Sequence, residues 1–87
     1  MCIYYDNLTE LEVKYMICHE MGHWVWHHRL NDIMRKEWLS INFTEYPTKY
    51  AETNPYENFA ESFAYNCFNL KLPEKQKEFF LKYNISC

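Results

Sequence analysis

Apolar residues recur along most of this chain at intervals of three and four, the period of an amphipathic helix, and polar punctuation divides them into four runs. Thr9 with Glu12 forms a capping box, so the spacing predicts a first helix from near residue 10 to about Leu30. On a helical wheel Val13, Ile17, Met21, Trp24 and Val25 form one side, while Leu11, Tyr15 and Trp26 fill much of the remainder. A helix apolar nearly all round is expected to lie buried in a core. Asn31-Asp32 is a candidate cap for a second helix through about Ser40, with Ile33, Met34, Trp38 and Leu39 as its apolar side. Residues 41–54, with Pro47 and many polar positions, are expected to be irregular. Asn54-Pro55 reads as N-cap and first position of a third helix to about residue 69. Leu72-Pro73 breaks that helix, and Pro73-Glu74 opens a fourth, with Phe79, Phe80 and Tyr83 for packing. Ahead of the first helix, Cys2-Ile3-Tyr4-Tyr5 supplies at most one short strand, so the expected fold class is mainly α.

The first helix carries His19-Glu20-Met21-Gly22-His23. At about 100° per residue the two imidazoles lie about 40° apart and Glu20 about 60° from His23, so a single metal can see all three. Hydrolytic zinc sites take three protein ligands and leave a fourth position to water, which calls for a further ligand downstream. In the third helix Glu57 falls in the first turn, and Glu61 follows on the same face. Tyr56, Phe59, Phe63 and Cys67 cluster on another side suited to a core. Ala60 and Ala64 lie between the two, small enough to let this helix approach the histidine helix. Gly22 costs about 1 kcal/mol of helix propensity against Ala, and a close contact beside the metal is the expected reason for it.

Together, His19-Glu20-x-x-His23 and the run Tyr50-Ala51-Glu52-Thr53-Asn54-Pro55-Tyr56-Glu57-Asn58-Phe59-Ala60-Glu61 resemble the lethal-factor-like zinc metallopeptidases, a group of glutamate-liganded zincins. The resemblance spans residues 19–64. It implies a minimal zincin-like catalytic domain with an active-site helix and a glutamate helix. By position it implies one Zn²⁺ held by His19, His23 and Glu57, and Glu20 as general base. Tyr50 becomes the hydroxyl that stabilises the oxyanion, and Glu61 the carboxylate that holds a ligand histidine. The implied activity is a zinc-dependent endopeptidase acting on a protein or peptide. The chain is also similar to the small metallopeptidases of mobile elements that cleave phage-type repressors, through Glu57, Ala60, Phe63 and Ala64, with the same ligands.

Each residue has a plainer alternative. The histidines can belong to an ordinary helix, Glu57 can sit in a first turn for the macrodipole alone, Glu61 can be a solvated charge, and Tyr50 can simply pack. His27, one turn beyond His23, is expected on the surface or rim rather than on the metal.

Length and composition narrow the classes further. Eighty-seven residues bound the chain to one domain, 1–87, expected to be a whole minimal enzyme or the catalytic part of a longer protein. So short a chain gains from a staple such as a metal. A single Gly and 20% aromatic residues argue for a helical domain and against a Gly-rich phosphate loop. A net charge of −3 argues against nucleic acid as a partner, and no apolar run is long enough to span a membrane. With no visible export signal, the cytoplasm of a producing or host cell is favoured, with secretion by another route as the alternative, and Cys18 and Cys67 are expected as reduced, buried thiols. The Asn, Lys, Tyr and Phe bias points to an AT-rich genome such as that of a phage, a large virus or a low-GC bacterium. Two other classes remain, a catalytically inactive, zinc-stapled binding module and a metal-free helical interaction domain.

Overall fold

The computed structural model describes residues 10–86, so Thr9 of the capping box and the Cys2-to-Tyr5 strand lie outside the described residues. Four helices follow in order: α1 (Glu10–His28), α2 (Asp32–Ser40), α3 (Pro55–Cys67) and α4 (Glu74–Lys82), with a 3₁₀ turn at Tyr50–Thr53. The fold is mainly α, and no strand occurs among the described residues.

Local chemistry sets the boundaries. The Asn31 side chain accepts from Met34 N at 2.8 Å and starts α2. From α2, Arg35 reaches back to donate to the Trp26 and His27 carbonyls at 2.8 and 2.9 Å, satisfying the open end of α1. The Asn54 side chain accepts from both Tyr56 N and Glu57 N, at 3.0 and 2.9 Å, with Pro55 at the first helical position. α3 stops two residues before the expected end. Asn69 adopts φ 56° and Leu70 N donates to Tyr65 O at 2.9 Å, a left-handed cap that closes the helix. Asn84 ends α4 the same way, with φ 54° and Ile85 N on Phe80 O at 2.9 Å.

The core is aromatic. Trp38 on α2 is fully buried, its ring centroid 5.2 Å from Phe59 of α3 and 5.0 Å from Phe79 of α4. Its indole N–H donates to Pro55 O at 3.0 Å, so the same side chain fixes the start of α3. Each such ring contributes about 1.5–3 kcal/mol by burial, which is how a short chain assembles a core. On α4, Gln76 Nε2 donates to Glu45 O at 2.7 Å and ties down the irregular segment before the 3₁₀ turn.

Gly22 marks where α1 crosses α3. A Cβ built there would stand 2.8 Å from Ala60 Cα and 3.1 Å from Phe63 Cβ, so glycine on one helix and alanine on the other permit the approach. The expectation that α1 is buried all round is corrected. Only Gly22, Val25 and Trp26 of α1 are buried, while Ile17 is 55% and Trp24 53% exposed. The wheel identified two apolar sides, but α3 covers just one of them. Smaller corrections follow the same logic: Ile33, Leu39 and Tyr56 are exposed at the margins of faces whose centres, Trp38 and Phe59, take the core.

Cys18 carries a free thiol. Cys67 does not, since it is disulfide-bonded, contrary to the expectation of a reduced thiol. That expectation rested on the lack of an export signal, which says nothing of which sulfurs meet. Among the described residues, no helix is long and apolar enough to cross a membrane.

Candidate metal centre

The Gly22–Ala60 approach brings the histidine face of α1 onto the first turns of α3. His19 Nε2 lies 3.0 Å and His23 Nε2 3.3 Å from the same atom, Glu57 Oε1. That oxygen is buried and makes no hydrogen bond despite these neighbours. On its other side, His19 Nδ1 is 2.6 Å from Glu61 Oε2; an ionised carboxylate can only accept, which places a proton on Nδ1 and leaves Nε2 as the nitrogen that faces Glu57. In its neutral form the imidazole then turns an Nε2 lone pair toward Glu57 Oε1, two acceptors that a cation between them would bridge.

The donor set suits such an ion. Bonds of about 2.0–2.2 Å in a tetrahedron hold neighbouring ligand atoms about 3.3 Å apart, close to the 3.0 and 3.3 Å seen here. The three ligand atoms all lie within 4.8 Å of one another, and His19, His23 and Glu57 together can hold a metal ion.

Glu61 is held more firmly than the sequence foretold. Its Oε1 accepts from the Tyr15 hydroxyl at 3.0 Å and from Thr48 Oγ1 at 2.8 Å, while Oε2 takes His19. Its side chain is 8% exposed, so the three donors stand in for lost water. Burial, and then the hydrogen bond to Glu61 and its negative charge, push the Tyr15 hydroxyl far above its ordinary value and keep it a donor. Neither Tyr15 nor Thr48 was singled out from the sequence as a site residue. Tyr15 is four residues before His19, one turn away on the same helix, a spacing that could have suggested it. No spacing rule points to Thr48, which lies on an irregular segment.

Glu20 and Tyr50 stand beside His19 in a cleft of about 1030 Å³ that Glu61 also lines. Glu20 is exposed on α1. Tyr50 opens the 3₁₀ turn with its ring 55% exposed and its centroid 5.9 Å from that of His19. The exposed apolar face of α1, with Met16, Ile17, Met21 and Trp24, forms much of the cleft wall. His27 is exposed and stands outside the cluster. All six residues singled out from the sequence, His19, Glu20, His23, Tyr50, Glu57 and Glu61, are thus gathered at one place. Compared with known proteins, the chain matches no family model, and no curated protein or solved structure matches it.

Proposed function

We propose that the chain is a zinc-dependent endopeptidase in which His19, His23 and Glu57 hold the metal. The observation that carries this reading is the convergence of two imidazole nitrogens and a carboxylate oxygen that has no hydrogen-bond partner, with a second carboxylate, Glu20, in the adjoining cleft. The resemblance to lethal-factor-like metallopeptidases supports it from the sequence side. Two histidines and one carboxylate are also the donor set that zinc takes in hydrolytic sites.

When bound, zinc supplies Lewis acidity, lowering the pKa of a water and polarising a scissile carbonyl. Glu20 would take a proton from an attacking water and return it to the leaving amine. Tyr50 donates its hydroxyl to the oxyanion, a kind of contact whose removal typically costs about 10²–10³ in kcat. Glu61 fixes the Nδ1–H tautomer of His19, so that Nε2 keeps its lone pair for the metal.

The test is a peptide-library cleavage profile of the zinc-loaded chain beside Glu20→Gln. The substitution is expected to retain the metal and to lower turnover by about 10²–10⁴. Cleavage by the purified variant at the wild-type rate refutes the mechanism. A second reading, a zinc-stapled binding module without turnover, draws on the exposed apolar face of α1 and on the lack of a strand among the described residues to pair with a substrate backbone. That reading predicts captured but uncut peptides from the same library.

A further inference from the structure

We propose that Thr48 is a positioning residue: its hydroxyl locks the turn that presents Tyr50 to the carboxylate that orients His19. The hydroxyl works in both directions. Oγ1 donates to Glu61 Oε1 at 2.8 Å and accepts from Ala51 N at 3.1 Å. Ala51 directly follows Tyr50 and is buried, and Glu52 N closes the same turn onto Lys49 O at 3.1 Å. Of the three side chains bonded to Glu61, Tyr15 and His19 both belong to α1, so Thr48 is the one that reaches the turn.

This matters because of how Tyr50 is held. Tyr50 is more than half exposed, and its ring meets that of His19 at 5.9 Å. An exposed side chain is aimed by its backbone, and that backbone is anchored one residue later by Thr48. Glu61, by contrast, is buried on α3 and fixed by donors from two directions. Thr48 therefore places the oxyanion donor and the tautomer-setting carboxylate in one frame, so that neither can shift without the other. For catalysis the inference rests on the peptidase reading, in which Tyr50 touches the reacting carbonyl.

The decisive comparison is Thr48→Val, nearly isosteric but unable to donate or accept, against Thr48→Ser, which keeps the hydroxyl. Metal content, kcat and KM on a cleaved peptide, and hydrogen exchange at the Ala51 amide are read for both. Thr48→Val is expected to retain its metal, to exchange Ala51 about tenfold faster, and to lose about tenfold in kcat with KM nearly unchanged. Thr48→Ser is expected to restore both toward wild type. In a Tyr50→Phe background the further loss from Thr48→Val is expected to be less than about twofold, because the two side chains act through one contact. Unchanged Ala51 exchange in Thr48→Val, a Ser variant as impaired as Val, or fully additive losses overturn the proposal. If the zinc-loaded wild type cleaves no peptide, the peptidase reading fails separately. Ala51 exchange and the NMR contact between the Tyr50 and His19 rings then decide: both perturbed in Val and kept in Ser supports the positioning role, and both kept in Val overturns it.

Discussion

Replacing Gly22 with alanine tests the geometry on which the metal centre depends. In an isolated helix the change would stabilise by about 1 kcal/mol through propensity alone. Here the new methyl would meet Ala60 Cα at 2.8 Å and Ala60 O at 3.1 Å, where ordinary contact begins near 3.4 Å. The obstructing atoms are backbone, so no side chain can swing aside, and α1 and α3 must part by about 0.6 Å at their crossing. Overpacking of this kind costs up to about 3 kcal/mol. Set against the propensity gain, a net loss of about 2 kcal/mol remains, equivalent to roughly 8–16 °C in Tm for a domain of this size. The same separation pulls His19 and His23 away from Glu57, while metal–ligand distances tolerate only about 0.2 Å. The drop in Tm is therefore expected to be larger in the metal-loaded protein than in chelator. Thermal unfolding by circular dichroism in both conditions reads the effect. A Gly22→Ala protein that melts several degrees higher than wild type, as propensity alone would have it, refutes the argument.

Removing the charge of Glu61 with Glu61→Gln should weaken zinc binding by about 10–100-fold, because His19 loses the partner that sets its tautomer. Competition with a chromophoric chelator measures this, and an unchanged affinity would count against the role given to Glu61. The Tyr15 hydroxyl, raised above its ordinary value of 10.0 by burial and by Glu61, favours the folded state in its neutral form. That contribution is complete below about pH 10 and is lost as pH rises beyond it, since the unfolded chain ionises first. Urea midpoints should accordingly fall between about pH 9 and about pH 11 in wild type and fall less in Tyr15→Phe; equal falls would dismiss the linkage.

Much of this was legible in the chain because it is governed by local rules. Asn31, Asn54 and Pro73 announce where helices start, and helical spacing puts His19 and His23 on one face of α1 and Glu57 and Glu61 on one face of α3, while the roles given to the two glutamates came with the resemblance. Gly22 and Ala60 could be read as a close approach because only small residues allow one. What escaped depends on which surfaces find a partner. The apolar side of α1 through Ile17 and Trp24 looks on a wheel like a core face, yet α3 supplies cover for the opposite side only. Thr48 escaped because it acts across thirteen residues, from an irregular segment to Glu61. The disulfide at Cys67 escaped because sulfur pairing depends on tertiary distance, which four scattered cysteines do not encode.

Two helices, α1 and α3, bring His19, His23 and Glu57 together where they can hold a metal ion. Elemental analysis of the purified chain after zinc loading and dialysis, beside a Glu57→Ala protein of unchanged helix content, tests it most directly. One zinc per chain is expected in wild type and essentially none in Glu57→Ala. A wild-type chain that retains no zinc, or a Glu57→Ala chain that retains as much as wild type, would contradict it.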